Sequence, residues 1–80
     1  MRVQNWIIEW FVENTFAEKA DLLQGLDNNY IDYGWLDSMG FITFLIDIES
    51  EFGIEFDGDA FQDQEFFTIE GLSKILDELT

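Results

Sequence analysis

The stretch from Ser38 to Phe52 constrains the fold more than any other part of this chain. Phe41, Phe44, Leu45, Ile48 and Phe52 recur at three- and four-residue spacing, which at about 100° per residue gathers them on one side of a helix. Asp37 stands in front of the run as a cap, and Gly53 stands behind it as a left-handed stop. An isolated helix of this length is marginal in water, so its apolar side must find partners elsewhere in the chain.

Those partners are helical too. Val3, Trp6, Ile7, Trp10 and Phe11 share one face of a first helix spanning about residues 3–17, with Ile8, Val12 and Phe16 widening its apolar arc. Near the end, Ile69, Leu72, Ile75, Leu76 and Leu79 form the face of a last helix over 68–79, with Thr68 as its cap. Asp57 to about Gln64 has room for a short helical turn around Ala60 and Phe61. Residues 18–37 read as one long connection, with Leu22, Leu23, Leu26, Tyr30, Ile31, Trp35 and Leu36 as apolar beads that pin it to the core. Strand signals are weak, because the alternating run Gly53-Ile54-Glu55-Phe56 is too short to build a sheet. The expected fold is a single-domain, all-α four-helix bundle with a long first loop and a short third helix.

Composition supports a real core. The 80 residues are 48% hydrophobic and include nine Phe, three Trp and two Tyr, which argues against a disordered acidic tail. Without cysteine there is neither a disulfide nor a thiolate metal site. The net charge of −15, from 18 acids against 3 bases, excludes ordinary nucleic-acid binding and opposes docking on anionic membranes. It favours partners with basic surfaces. The first apolar residues are broken at once by Glu9, so neither a secretory signal nor membrane insertion is expected. A cytoplasmic monomer is.

The chain offers few groups for chemistry. Ser38 opens the central helix, where a hydroxyl is exposed and the backbone N–H groups favour an attached phosphate ester. Beside it, Met39, Ile42 and Ile46 form a second apolar edge on the same helix. That edge either packs under the long loop or meets a partner or the start of a bound chain.

The stretch Gly34-Trp35-Leu36-Asp37-Ser38-Met39 resembles the G-x-x-D-S-[LM] attachment motif of the acyl and peptidyl carrier proteins. Length, acidity, the absence of cysteine, the long loop before the serine and Glu49-Ser50-Glu51-Phe52-Gly53-Ile54 fit the same family. The finer pattern is similar to the D-alanyl carrier branch: Leu45-Ile46-Asp47-Ile48-Glu49-Ser50-Glu51-Phe52-Gly53-Ile54-Glu55 follows it, and Gly40, Phe61 and Phe66-Phe67-Thr68 suit it. Fatty-acid-synthesis carriers more often have acids where Gly40, Thr43 and Ser50 stand. The chain departs from the family pattern at Asp57, where carriers often have proline, at Met39, where leucine is commoner, and in the aromatic richness of its core. Specialised carriers of lipid, polysaccharide or secondary-metabolite pathways share the pattern.

The resemblance implies that a phosphopantetheinyl transferase, with Mg²⁺, moves 4′-phosphopantetheine from coenzyme A onto Ser38. The cofactor's thiol then holds an acyl or aminoacyl group as a thioester, in a chain that has no thiol of its own. Implied partners are that transferase, an acyl- or aminoacyl-activating ligase, and acyl-transferring enzymes with basic docking surfaces. Asp37 would cap the helix and help place the transferase's metal. Met39, Ile42, Ile46 and Asp47 are the candidate docking residues, with no resident metal and no catalysis by the chain itself.

Three rival readings are weaker. A serine hydrolase needs a histidine that the chain lacks, and its G-x-S-x-G elbow fails at Leu36. The calcium-loop-like segment from Asp57 puts Phe61 where an oxygen ligand belongs and Gln62 where glycine belongs, and Asp27–Asp32 fails likewise. A non-catalytic acidic interaction module agrees with the charge but gives Ser38 no role.

Overall fold

The computed structural model describes residues 2–56 and 62–79. Among the described residues there are four α-helices: α1 (Arg2–Asn14), α2 (Lys19–Gln24), α3 (Ser38–Phe52) and α4 (Ile69–Leu79), with a 3₁₀ helix at Gln64–Phe67 before the last. No strand occurs among the described residues; a lone antiparallel bridge joins Asn29 to Thr68. The architecture is the expected all-α bundle. The helical turns expected around Ala60 and Phe61 lie outside the described residues.

Local chemistry sets the helix ends. Gly53 ends α3 in the left-handed conformation, φ 65°, and donates its N–H to the Glu49 carbonyl. Thr68 caps α4 by accepting the Gly71 N–H at 2.9 Å. Helix α1 stops three residues short of the expected end. The Thr15 hydroxyl donates to the Phe11 carbonyl at 2.6 Å and accepts the Ala17 N–H at 3.1 Å, giving the terminal backbone groups partners outside a helical ladder. Beyond it Phe16 points fully into solvent, whereas Ile8 is buried with the main face.

The connection before α3 is more ordered than expected. It contains α2, whose one buried residue is Leu22. The rest is tied down by hydrogen bonds. Tyr30 lies fully buried; its N–H donates to the Phe67 carbonyl at 3.0 Å and its hydroxyl donates to the Phe66 carbonyl at 2.8 Å. Burial pushes the Tyr30 phenol pKa well up, so it remains a donor. Asn29 turns the chain by accepting the N–H groups of Ile31 and Asp32, each at 3.0 Å. The Glu70 N–H donates to the Leu26 carbonyl at 2.9 Å and ties the loop to α4.

Two modes of packing build the core. Close backbone approaches join α1 to α4, α1 to α2, and α4 to the 3₁₀ helix. Small residues allow this: Gly71 and Ser73 of α4 are buried, and the Ser73 hydroxyl folds back to donate to the Ile69 carbonyl at 2.6 Å. Helix α3 stands further off and is reached through rings. Phe44 meets Trp10 at 4.5 Å, Phe11 at 5.2 Å and Tyr30 at 5.9 Å between centroids. Phe41 meets Phe67 at 5.6 Å and Phe66 at 6.2 Å, and Phe52 meets Trp6 edge-on at 5.3 Å.

Candidate functional site

Ser38 is the first residue of α3 and is exposed. Two neighbours hold it there. Leu36 is buried and anchors the incoming chain. Asp37, with extended backbone, caps the helix: its Oδ1 accepts the Gly40 N–H at 2.7 Å, and its carbonyl accepts the Phe41 N–H at 2.8 Å. Gly40 suits this close fit, because a Cβ there would come within 2.8 Å of Leu36 Cδ1 and 3.1 Å of Asp37 Oδ1 and those side chains would have to shift. The cap, the anchor and the glycine together present one hydroxyl at a rigid helix start.

This arrangement suits a phosphate ester on Ser38. First-turn amides of a helix carry partial positive charge and unpaired donors. Asp37, the nearest carboxylate in sequence, already accepts a first-turn amide through Oδ1. The side chain is therefore turned into the helix end.

Met39, Ile42 and Ile46 are 79%, 59% and 58% exposed. They form a stripe leading away from Ser38 along the face of α3 opposite Phe44 and Ile48. The stripe does not pack under the long loop. Asp47 sits apart from it, half-buried on the flank towards α1, where its Oδ2 accepts the Trp10 Nε1–H at 2.7 Å. Its geometry is that of a helix-to-helix tie.

The sequence reading missed a cleft of about 400 Å³ beside the serine. It lies between the end of α1, Asp21 of α2 and the approach to α3. Trp35, tilted against Tyr33 with ring centroids 4.6 Å apart, supplies an aromatic wall. Its walls come from separate stretches of chain, so no contiguous motif announced it. A second cleft, between Asp27, Asn29 and the start of α4, is lined largely by polar side chains.

Among the described residues no three acids converge as a metal site, and no helix is long and apolar enough to cross a membrane. Residues 57–61 of the calcium-loop-like segment lie outside the described residues. In Asp27–Asp32, the Asn29 carboxamide is committed to the turn.

No curated protein and no solved structure matches the chain. A family model does: the phosphopantetheine attachment site, over residues 11–76. That span takes in Ser38, its cap, the exposed stripe and the core rings from Phe11 onward, and leaves out Trp6 and Trp10. Members of this family carry 4′-phosphopantetheine covalently and are typically carriers rather than catalysts. The chain belongs to the phosphopantetheine attachment family and is a phosphopantetheine-bearing carrier protein.

Proposed function

We propose that Ser38 is the attachment residue and that the chain carries a small acyl or aminoacyl group to partner enzymes. The observation that carries this reading is the exposed Ser38 hydroxyl at a helix start capped by Asp37. In the loading step a transferase removes the serine proton, and Oγ forms a bond to the phosphorus that bears the pantetheine. The bond from that phosphorus to the nucleotide half breaks, and adenosine bisphosphate leaves. When bound, the arm supplies the thiol that the chain lacks. A cytoplasmic location is part of this reading, and dependence on coenzyme A as the donor supports it.

The core favours a short cargo. Tyr30, Phe41, Phe44, Phe66 and Phe67 contact one another between α3 and α4, so a long acyl chain would have to displace several rings at once. D-alanine, activated by a dedicated ligase, agrees with this and with the run from Leu45 to Glu55. The stripe of Met39, Ile42 and Ile46 is the docking edge, and the net charge of −15 draws in enzymes with basic surfaces. Asp47 contributes by holding α3 against α1.

Intact-mass spectrometry tests the reading. Incubation with a broad-specificity phosphopantetheinyl transferase, coenzyme A and Mg²⁺ should add one phosphopantetheine to the wild type and none to Ser38→Ala. A folded wild type that gains no mass would overturn the assignment and leave the unmodified acidic module as the reading, and a Ser38→Ala chain that gains it would move the attachment to another residue.

A further inference from the structure

We propose that the cleft beside Ser38 is a resting site for the loaded end of the arm and that it favours an aminoacyl group through the cargo's ammonium. This rests on the carrier reading. The cleft, of about 400 Å³, is lined by Thr15, Phe16, Asp21, Trp35, Asp37 and Gly40 among others, within the size range of small-molecule sites.

Position, chemistry and tethering converge on this occupant. Asp37 and Gly40 both line the cleft, and Ser38 lies between them in the chain, so an arm on Ser38 starts at its edge. Its lining includes two carboxylates, Asp21 and Asp37, and neither Lys nor Arg. The Asp37 carboxylate already accepts the Gly40 N–H. Asp21 stands in the first turn of α2 with its side chain exposed. Phe16, fully exposed, and Trp35 add aromatic faces, which attract an ammonium and cover the methylene part of the arm. Tethering raises the local concentration of the cargo to the millimolar range for a short flexible linker, so a weak site is enough to hold it. A neutral acyl group of the same shape gains the aromatic contact but not the attraction to Asp21.

The test compares two stable amide analogues of the loaded arm, installed on Ser38 of ¹⁵N-labelled protein from the matching coenzyme A analogues. One carries alanyl. The other carries isobutyryl, in which a methyl replaces the ammonium. The alanyl form should move the amide signals of Thr15, Ala17 and Gly34 and the Trp35 indole signal. We expect movements larger than those of the isobutyryl form by about threefold, the size of one exposed ion pair. Asp21→Asn should remove that difference while leaving loading unchanged by mass. Equal movements in both forms would overturn the ammonium preference. Movements confined to Ser38–Phe41 would overturn the resting site itself, while the mass gain still upheld the carrier reading. A chain that accepts no arm would remove both.

Discussion

Helices α1 and α4 approach each other through their backbones, while α3 is held off by rings. On the first side, α4 also closes on the 3₁₀ helix: Gly71 and Ser73 are buried, and a Cβ at Gly71 would run into the Glu65 carbonyl oxygen. On the other side, Phe44 alone meets Trp10, Phe11 and Tyr30. Backbone packing leaves little freedom to shift, because carbonyls and helix axes cannot rotate aside. Ring packing attaches a helix through side chains that have rotamers of their own. The site and the exposed stripe sit on the ring-held helix. The difference teaches that this fold separates its framework from the helix that bears Ser38 and the exposed stripe.

Removing the central ring should have the largest effect. Phe44→Ala should cost about 3–5 kcal/mol, the range for a buried aromatic truncated to alanine, out of a total of about 5–15 kcal/mol for a domain. Chemical denaturation would measure the loss, and hydrogen exchange would locate it. If α3 is a separately held element, its amides should lose protection before those of α1 and α4. Uniform loss across all helices would break the comparison.

Next come two glycines that look alike in sequence. Gly71→Ala drives a methyl into the backbone of the 3₁₀ helix and should cost about 3 kcal/mol. Gly40→Ala meets the Leu36 side chain and the Asp37 carboxylate, groups that can yield, and should cost about 1 kcal/mol. Thermal melts of the two variants side by side decide this. Equal costs would show that the two halves are equally unyielding.

A smaller change sharpens the α1–α3 joint. Asp47→Leu leaves the indole N–H of buried Trp10 without its acceptor and should cost about 1–2 kcal/mol. Asp47→Asn retains an acceptor oxygen and should recover most of that. If Asp47→Leu melts like the wild type while transfer to partner enzymes slows, Asp47 is a docking residue after all.

Legibility followed the same division. Helix α3 runs from Ser38 to Phe52 as expected, because a side-chain cap, a left-handed glycine and a repeating apolar face all speak locally. Helix α4 starts one residue late, with Thr68 as its cap. Helix α2 was read as loop because its single buried side chain, Leu22, gives no periodicity. The end of α1 turned on which carbonyl the Thr15 hydroxyl would choose, which spacing does not reveal. Asp47 reads as a candidate docking residue in the sequence because its partner, Trp10, lies far away along the chain. Ser38 and its cap were readable for the opposite reason: everything that positions them, from Leu36 to Gly40, is contiguous.

The smallest expected change in stability carries the most information about function. Met39, Ile42 and Ile46 are mostly exposed and lie away from the rings that hold α3, so Met39→Ser and Ile46→Ser should each alter stability by less than about 0.5 kcal/mol. Both variants should still accept phosphopantetheine on Ser38. What they should lose is time on a partner. Each removes apolar area that a docked enzyme would cover, at about 25 cal/mol per Å². Dissociation from the activating ligase that loads the cargo, measured by surface plasmon resonance, should therefore quicken several-fold while the salt-dependent association rate stays near wild type. An unchanged dissociation rate in both variants would mean that the framework–presenter division is real in the fold but that partners grip another face.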